Sequence, residues 1–156
     1  MTVKCLFLFF ALIFLNKSLL FCQEPVKGDN AIIVKGVSFK KIKETLLDSG
    51  IFIDEQNEED GTIITKRKGY CECPNKEFYQ LIYYIRVKDS IATIRGRFSQ
   101  QVQLKIANTN LPRDDREDFT EAIFWKSKMS AYNYIFNIMI DFANSLNPLS
   151  VEYKVL

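Results

Sequence analysis

The chain has 156 residues, with 21 Lys plus Arg against 19 Asp plus Glu and no histidine. That balance excludes a broad basic field of the kind that nucleic acid requires. The missing imidazole excludes Ser-His and Cys-His nucleophile pairs and histidine metal ligation. An aromatic content of 13% supplies ample material for one packed core and argues against bulk disorder.

The first elements in chain order are those of a leader. Lys4 precedes the apolar run "CLFLFFALIFL", a short positive region followed by a hydrophobic region of signal-peptide length. Such a run is short for a membrane span, and an all-round apolar N-terminal helix has no polar face for water. Residues 1–22 are therefore expected to be a signal peptide cut after the small residue Cys22, before the polar "QEPVKGDN". The alternative is lipidation of Cys22 as an envelope lipoprotein, which the bulky Phe21 just before it disfavours. Membrane association is expected only through the leader or such an anchor. The destination is the periplasm, the outer cell envelope or the medium. Removing residues 1–22 lowers Lys plus Arg from 21 to 19, so the exported domain is nearly neutral.

Residues 23–30 read as a short linker and residues 31–147 as one domain. Residues 31–37, "AIIVKGV", form an apolar strand, and Ser38 is placed to cap the helix that follows. Phe39, Ile42, Leu46 and Leu47 share one helical face, and Gly50 stands where a left-handed C-cap is needed. "IFIDEQNE" and "TIITKRK" then flank Asp60-Gly61, a signal for a two-residue type I′ hairpin. That loop places Glu59 opposite Thr62, Glu55 opposite Lys66 and Asp54 opposite Arg67. The basic run at 66–68 then reads as a solvated strand answered by acids rather than an anion patch.

"GYCECPNKEF" interrupts the pattern as a loop. "FYQLIYYIRV" and "IATIRGRFS" resume it as a second hairpin around Asp89-Ser90, with Lys88 opposite Ile91. Leu81, Tyr83, Ile85 and Val87 then share an apolar face with Ala92, Ile94, Gly96 and Phe98, and the Tyr83 ring is placed to cover the bare Gly96 backbone. The other face carries Tyr84, Arg86, Arg95 and Arg97. Residues 107–118 are polar and read as an exposed loop. The spacing of Trp125, Met129, Tyr132, Phe136, Met139, Ala143 and Leu146 predicts a long helix over 119–146, ended by Pro148. In residues 148–156 the alternation of Val151, Tyr153 and Val155 allows an edge strand or a surface tail. The order β-α-β-β-β-β-α predicts an α+β two-layer sandwich, a predominantly antiparallel curved sheet with both helices on one face.

No nucleotide-binding or hydrolase motif is present. "DEQNEEDG" places the oxygen-bearing side chains of Asp54, Gln56, Glu58 and Asp60 at alternate positions, but it lacks the central glycine of a calcium loop and fits a hairpin better. No cofactor and no metal site are expected, and nothing points to an enzyme. Cys71 and Cys73, one residue apart, leave several readings open: a staple of a loop in an oxidising compartment, unpaired or intermolecular thiols, a redox pair, or half of a shared metal site. Tyr84, Arg86, Arg95 and Arg97 form the candidate binding surface, able to hold an envelope protein, a peptide, a glycan or an anion; an ordinary solvated face is the alternative. The expected function is an exported, non-enzymatic binding or structural domain, with a minor thiol-redox protein built on Cys71 and Cys73 as the alternative.

The opening "AIIVKGVS", the helix "FKKIKETLLDSG" and the hairpin "DEQNEEDGTIITKRK" resemble small secreted bacterial domains of unknown function with a TATA-binding-protein-like fold. Val34, Lys35, Gly36 and Val37, then Asp60, Gly61, Thr62 and Ile63, carry the similarity, which spans residues 31–146. It implies a curved antiparallel sheet backed by two helices and a cell-envelope location, and no known activity. The length of the C-terminal helix and the Cys-Glu-Cys segment depart from that pattern.

Overall fold

A computed structural model of the protein describes residues 23–72, 77–101, 119–125, 127 and 130–156. In chain order these form β1 (Ala31–Lys35), α1 (Phe39–Asp48), β2 (Ile53–Asn57), β3 (Thr62–Thr65), β4 (Lys68–Glu72), β5 (Glu77–Lys88), β6 (Ile91–Gln101), β7 (Thr120–Glu121), α2 (Ala131–Ser145) and β8 (Ser150–Lys154). One antiparallel sheet runs β2-β3-β5-β6-β1-β8, with β4 also on β5 and β7 on β6. The expected α+β architecture holds: two helices back one face of an open antiparallel sheet.

β1 sits between β6 and β8, pairing Ile32 with Ile94 on one side and with Tyr153 on the other. That internal place explains why Ala31, Ile32, Ile33 and Val34 are all buried instead of alternating. The tail after Pro148 is thus an edge strand. The segment before β1 is more than a linker, because Asp29 and Asn30 are buried. The Asn30 side chain holds Leu156 as a backbone neighbour would, its Oδ1 accepting from the Leu156 N–H (2.8 Å) and its amide donating to the Leu156 carbonyl (3.1 Å).

α1 begins and ends as its caps dictate. Ser38 Oγ accepts from the Lys41 N–H. At the other end the Gly50 N–H reaches the Leu47 carbonyl and the Ile51 N–H the Leu46 carbonyl, with Gly50 at φ +67°, which makes a Schellman motif. Ile42 and Leu46 are buried, but Leu47 is 53% exposed. The buried stripe turns through Thr45 instead, whose hydroxyl donates to the Lys41 carbonyl.

The β2–β3 hairpin differs from the predicted one. Asn57 pairs with Thr62, Gln56 with Ile63 and Glu55 with Ile64, followed by a bulge before Ile53 and Thr65. Residues 58–61 form the loop. Asn57 Oδ1 accepts from the N–H groups of Glu59 and Asp60, and the Gly61 N–H donates to the Glu58 carbonyl. This side-chain turn displaces the two-residue loop, so Glu55 does not face Lys66 and Asp54 does not face Arg67. Gly61 also meets β5: Val87 N–H donates to its carbonyl at 2.7 Å, and a Cβ there would lie 2.0 Å from Val87 O.

The first part of "GYCECPNKEF" is strand rather than loop. Lys68 pairs with Leu81 and Cys71 with Phe78. β5 is 12 residues long, whereas β3 spans only Thr62–Thr65 and pairs with residues 84–86, so β4 takes the other half of that edge. Where the chain leaves the ladder between β3 and β4, Thr65 Oγ1 accepts from the Tyr83 N–H.

The β5–β6 hairpin follows its predicted register, with Lys88 opposite Ile91, Tyr83 opposite Gly96 and Tyr84 opposite Arg95. Asp89 and Ser90 have φ of 51° and 60°, the signs a type I′ turn needs. Gly96 is covered differently from the expectation. A Cβ there would lie 2.6 Å from Met139 Sδ and 2.9 Å from Leu81 Cδ1, and the Tyr83 ring packs on Phe142 instead.

The second helix is shorter than predicted. It starts after Ser130, whose hydroxyl accepts from the Tyr132 N–H. Part of the segment before it is extended: Glu121 pairs with Arg97, the Ala122 N–H donates to Gly96 O, and the Phe124 N–H donates to Asp29 O. These tertiary partners satisfy backbone groups that a helix would have paired internally. Ile135, Phe136, Met139, Phe142, Ala143 and Leu146 fill the core, while Trp125 and Tyr132 stay 44% and 37% exposed. Met129 lies outside the described residues.

Candidate functional site

The face of the sheet opposite the helices holds the four residues singled out from sequence. Period-2 alternation along β5 and β6 puts Tyr84 and Arg86 on it beside Arg95 and Arg97. β3 extends the face on the other side of β5, with Thr62 opposite Arg86 and Ile64 opposite Tyr84.

The four differ in what engages them. Arg95 forms an ion pair with Glu121 of β7. Arg97 donates from Nη2 to the carbonyl of Phe119 at 2.8 Å. Both arginines therefore hold β7 against β6. Tyr84, Arg86 and the Glu121-paired Arg95 line a trough of about 520 Å³ with Thr62, Ile64, Thr93 and Leu156. A second hollow of about 240 Å³ adjoins it between Tyr84, Arg95, Arg97 and Glu121. Arg86 is exposed and, among the described residues, makes no ion pair. The trough thus combines an aromatic wall, aliphatic surface from Ile64 and Leu156, two threonine hydroxyls and one available guanidinium. Such a lining suits recognition: the guanidinium is a forked donor set for a carboxylate, and the ring gives apolar area at small entropic cost.

Glu121 and Leu156 were missed in the sequence. Glu121 lies in a stretch with helical spacing, and nothing local marks it as the partner of Arg95. Leu156 reaches the trough only because β8 pairs with β1 and Asn30 grips its backbone.

Cys71 is exposed on β4, and its carbonyl accepts from the Tyr134 hydroxyl at 2.9 Å. Cys73 and Cys22 lie outside the described residues, as does the expected signal peptide, residues 1–22. Among the described residues, no three His, Cys, Asp or Glu side chains gather in a group able to hold a metal, and no helix is long and apolar enough to cross a membrane.

These features define an α+β domain with one helix-backed face and one open, mixed polar and aromatic face. The sequence matches no protein-family model and no curated protein.

Proposed function

We propose that this is an exported or envelope-associated binding domain that takes a partner on the helix-free face of its sheet. The leader-like residues 1–22 and the resemblance to small secreted bacterial domains support the location. The observation that carries the binding reading is the trough itself. Arg86 and Tyr84 stand together over aliphatic surface, while the neighbouring arginines are occupied with β7. The partner this lining suits is an extended segment with a carboxylate for Arg86 and an apolar group for Tyr84 and Leu156, such as an acidic peptide of an envelope protein.

The test is an array of random extended peptides probed with the wild-type protein and with R86A and Y84A. Selection of acidic peptides that falls about tenfold or more in R86A supports the reading, since losing one charge-assisted hydrogen-bonding group costs roughly 1.5–3 kcal/mol. Equal retention by R86A and Y84A would remove it.

A further inference from the structure

The helical side of the molecule contains a separate cavity that shares no lining residue with the sheet-face hollows. It is a cleft of about 350 Å³ walled by the C-terminal end of α1, by β4 and by the second half of α2. That volume lies within the roughly 300–1,000 Å³ common for small-molecule sites. Tyr83 forms its fully buried floor, and Ser49, Asp141 and Ser145 stand exposed at its rim. Ile51, Ile138 and Phe142 supply apolar wall, and Lys68 and Tyr70 project from β4.

The hydrogen-bonding inventory of this cleft is incomplete in both directions. Lys68 Nζ donates to the Gly50 carbonyl at 3.2 Å, which leaves two of its three N–H groups. The hydroxyl of half-buried Tyr70 approaches that of buried Tyr83 at 3.4 Å, the far limit of a hydrogen bond, so Tyr70 keeps hydrogen-bonding capacity toward the cleft. Burial pushes both phenols upward from their ordinary value, which keeps them as neutral O–H groups. Ser145 Oγ donates to the Phe142 carbonyl and keeps its acceptor lone pairs. Asp141 is acceptor-only and, among the described residues, has no ion-pair partner.

This set selects against charged ligands. An anion drawn by Lys68 meets the Asp141 carboxylate, and a cation drawn by Asp141 meets Lys68. A group that both donates and accepts satisfies both walls, and the hydroxyl is the simplest such group. An apolar face on the same ligand can lie on Phe142 and Ile138. From the lining of this cleft we infer that it binds a neutral, polyhydroxylated ring, a single sugar unit, with hydroxyls on Lys68, Asp141 and Tyr70. The unit is either a free monosaccharide or the end of a glycan chain.

Amide chemical-shift titration of the isotope-labelled protein tests this. The probes are glucose, N-acetylglucosamine and a β-linked disaccharide of each, with inorganic phosphate and tetramethylammonium as charged controls. A sugar is expected to shift the amides of Tyr70, Tyr83, Asp141 and Phe142 with a Kd of about 10 mM or tighter, a modest affinity that corresponds to roughly 3 kcal/mol. Because Asp141 is exposed, D141N should fold normally and weaken binding about tenfold. R86A, on the opposite face, should bind sugar as the wild type does. Equal affinity for a monosaccharide and its disaccharide identifies a free sugar as the ligand, and tighter disaccharide binding identifies a chain end. Absence of shifts at these residues with every sugar, shifts with phosphate or tetramethylammonium alone, or unchanged sugar binding in D141N would overturn the inference. None of these outcomes bears on the peptide array, which reads the other face.

Discussion

Arg95 on β6 and Glu121 on β7 form an ion pair that spans the helix-free face. Arg97 grips the Phe119 carbonyl beside it. Together they turn two residues of an apparent cationic patch into fasteners for a two-residue strand. What remains available on that face is Arg86, beside Tyr84. The E121Q variant should therefore free Arg95 without unfolding the protein. Since both side chains are partly exposed, the stability change is expected to stay within about 1 kcal/mol, as for other surface pairs. Urea unfolding measures it, and acidic-peptide affinity should rise relative to wild type.

G96A is expected to be markedly destabilising. The new methyl would sit 2.6 Å from Met139 Sδ and 2.9 Å from Leu81 Cδ1, between the helix and the sheet. Met139 is flexible enough to yield in part, so a loss of about 1–3 kcal/mol is expected, as for other overpacked cores. The combined variant G96A/M139A opens the space and should recover part of the β5–β6 misfit; strict additivity in urea melts would count against this contact as the cause.

G61A should cost more than its exposed hairpin suggests. Gly61 has φ +67°, and its Cβ would meet Val87 O, a backbone atom that cannot swing away. The left-handed conformation alone disfavours alanine by roughly 1 kcal/mol, and the clash adds to it. Thermal unfolding should show a clear drop in Tm, whereas alanine at the neighbouring exposed Glu59 should show almost none.

Stability should depend on pH at both ends of the scale. The Lys35 hydrogen bond holds the Glu152 carboxyl below its ordinary value, with Lys154 adding to the effect. A carboxyl depressed on folding contributes stability above its unfolded value and loses it as pH falls through the folded one. E152Q should flatten the acid limb of a stability–pH profile. Tyr83 is shifted upward, chiefly by burial and also by Tyr70 and Asp141. A phenol raised on folding contributes stability below its unfolded value of about 10, and that contribution declines as pH rises past it. Y83F should resist alkaline unfolding better than wild type once their neutral-pH stabilities are matched. Parallel alkaline limbs would show that Tyr83 is not the group involved.

The resemblance drawn from the β1–α1 opening implies an envelope location, and the apolar run in residues 1–22 is expected to direct export. Mass analysis of the native protein checks both. A chain beginning at Gln23 is expected for a cleaved secretory leader, and acylated Cys22 would instead mark a lipoprotein.

The sequence by itself determined the features whose causes are local. Ser38 and Gly50 fix both ends of α1, since a cap and a left-handed residue act within one turn. Asp89-Ser90 fixes the β5–β6 hairpin, and alternation around it places Tyr84, Arg86, Arg95 and Arg97 on one face. Tertiary structure decided the rest, because there the deciding partner lies far along the chain. Residues 119–125 carry helical spacing yet include β7, since Gly96 and Asp29 offer backbone partners that spacing cannot reveal. Residues 68–72 join the sheet because β5 outruns β3. Arg95 and Arg97 looked like Arg86 in the pattern, and only the arrival of β7 beside β6 separates the two that fasten a strand from the one that makes no ion pair among the described residues.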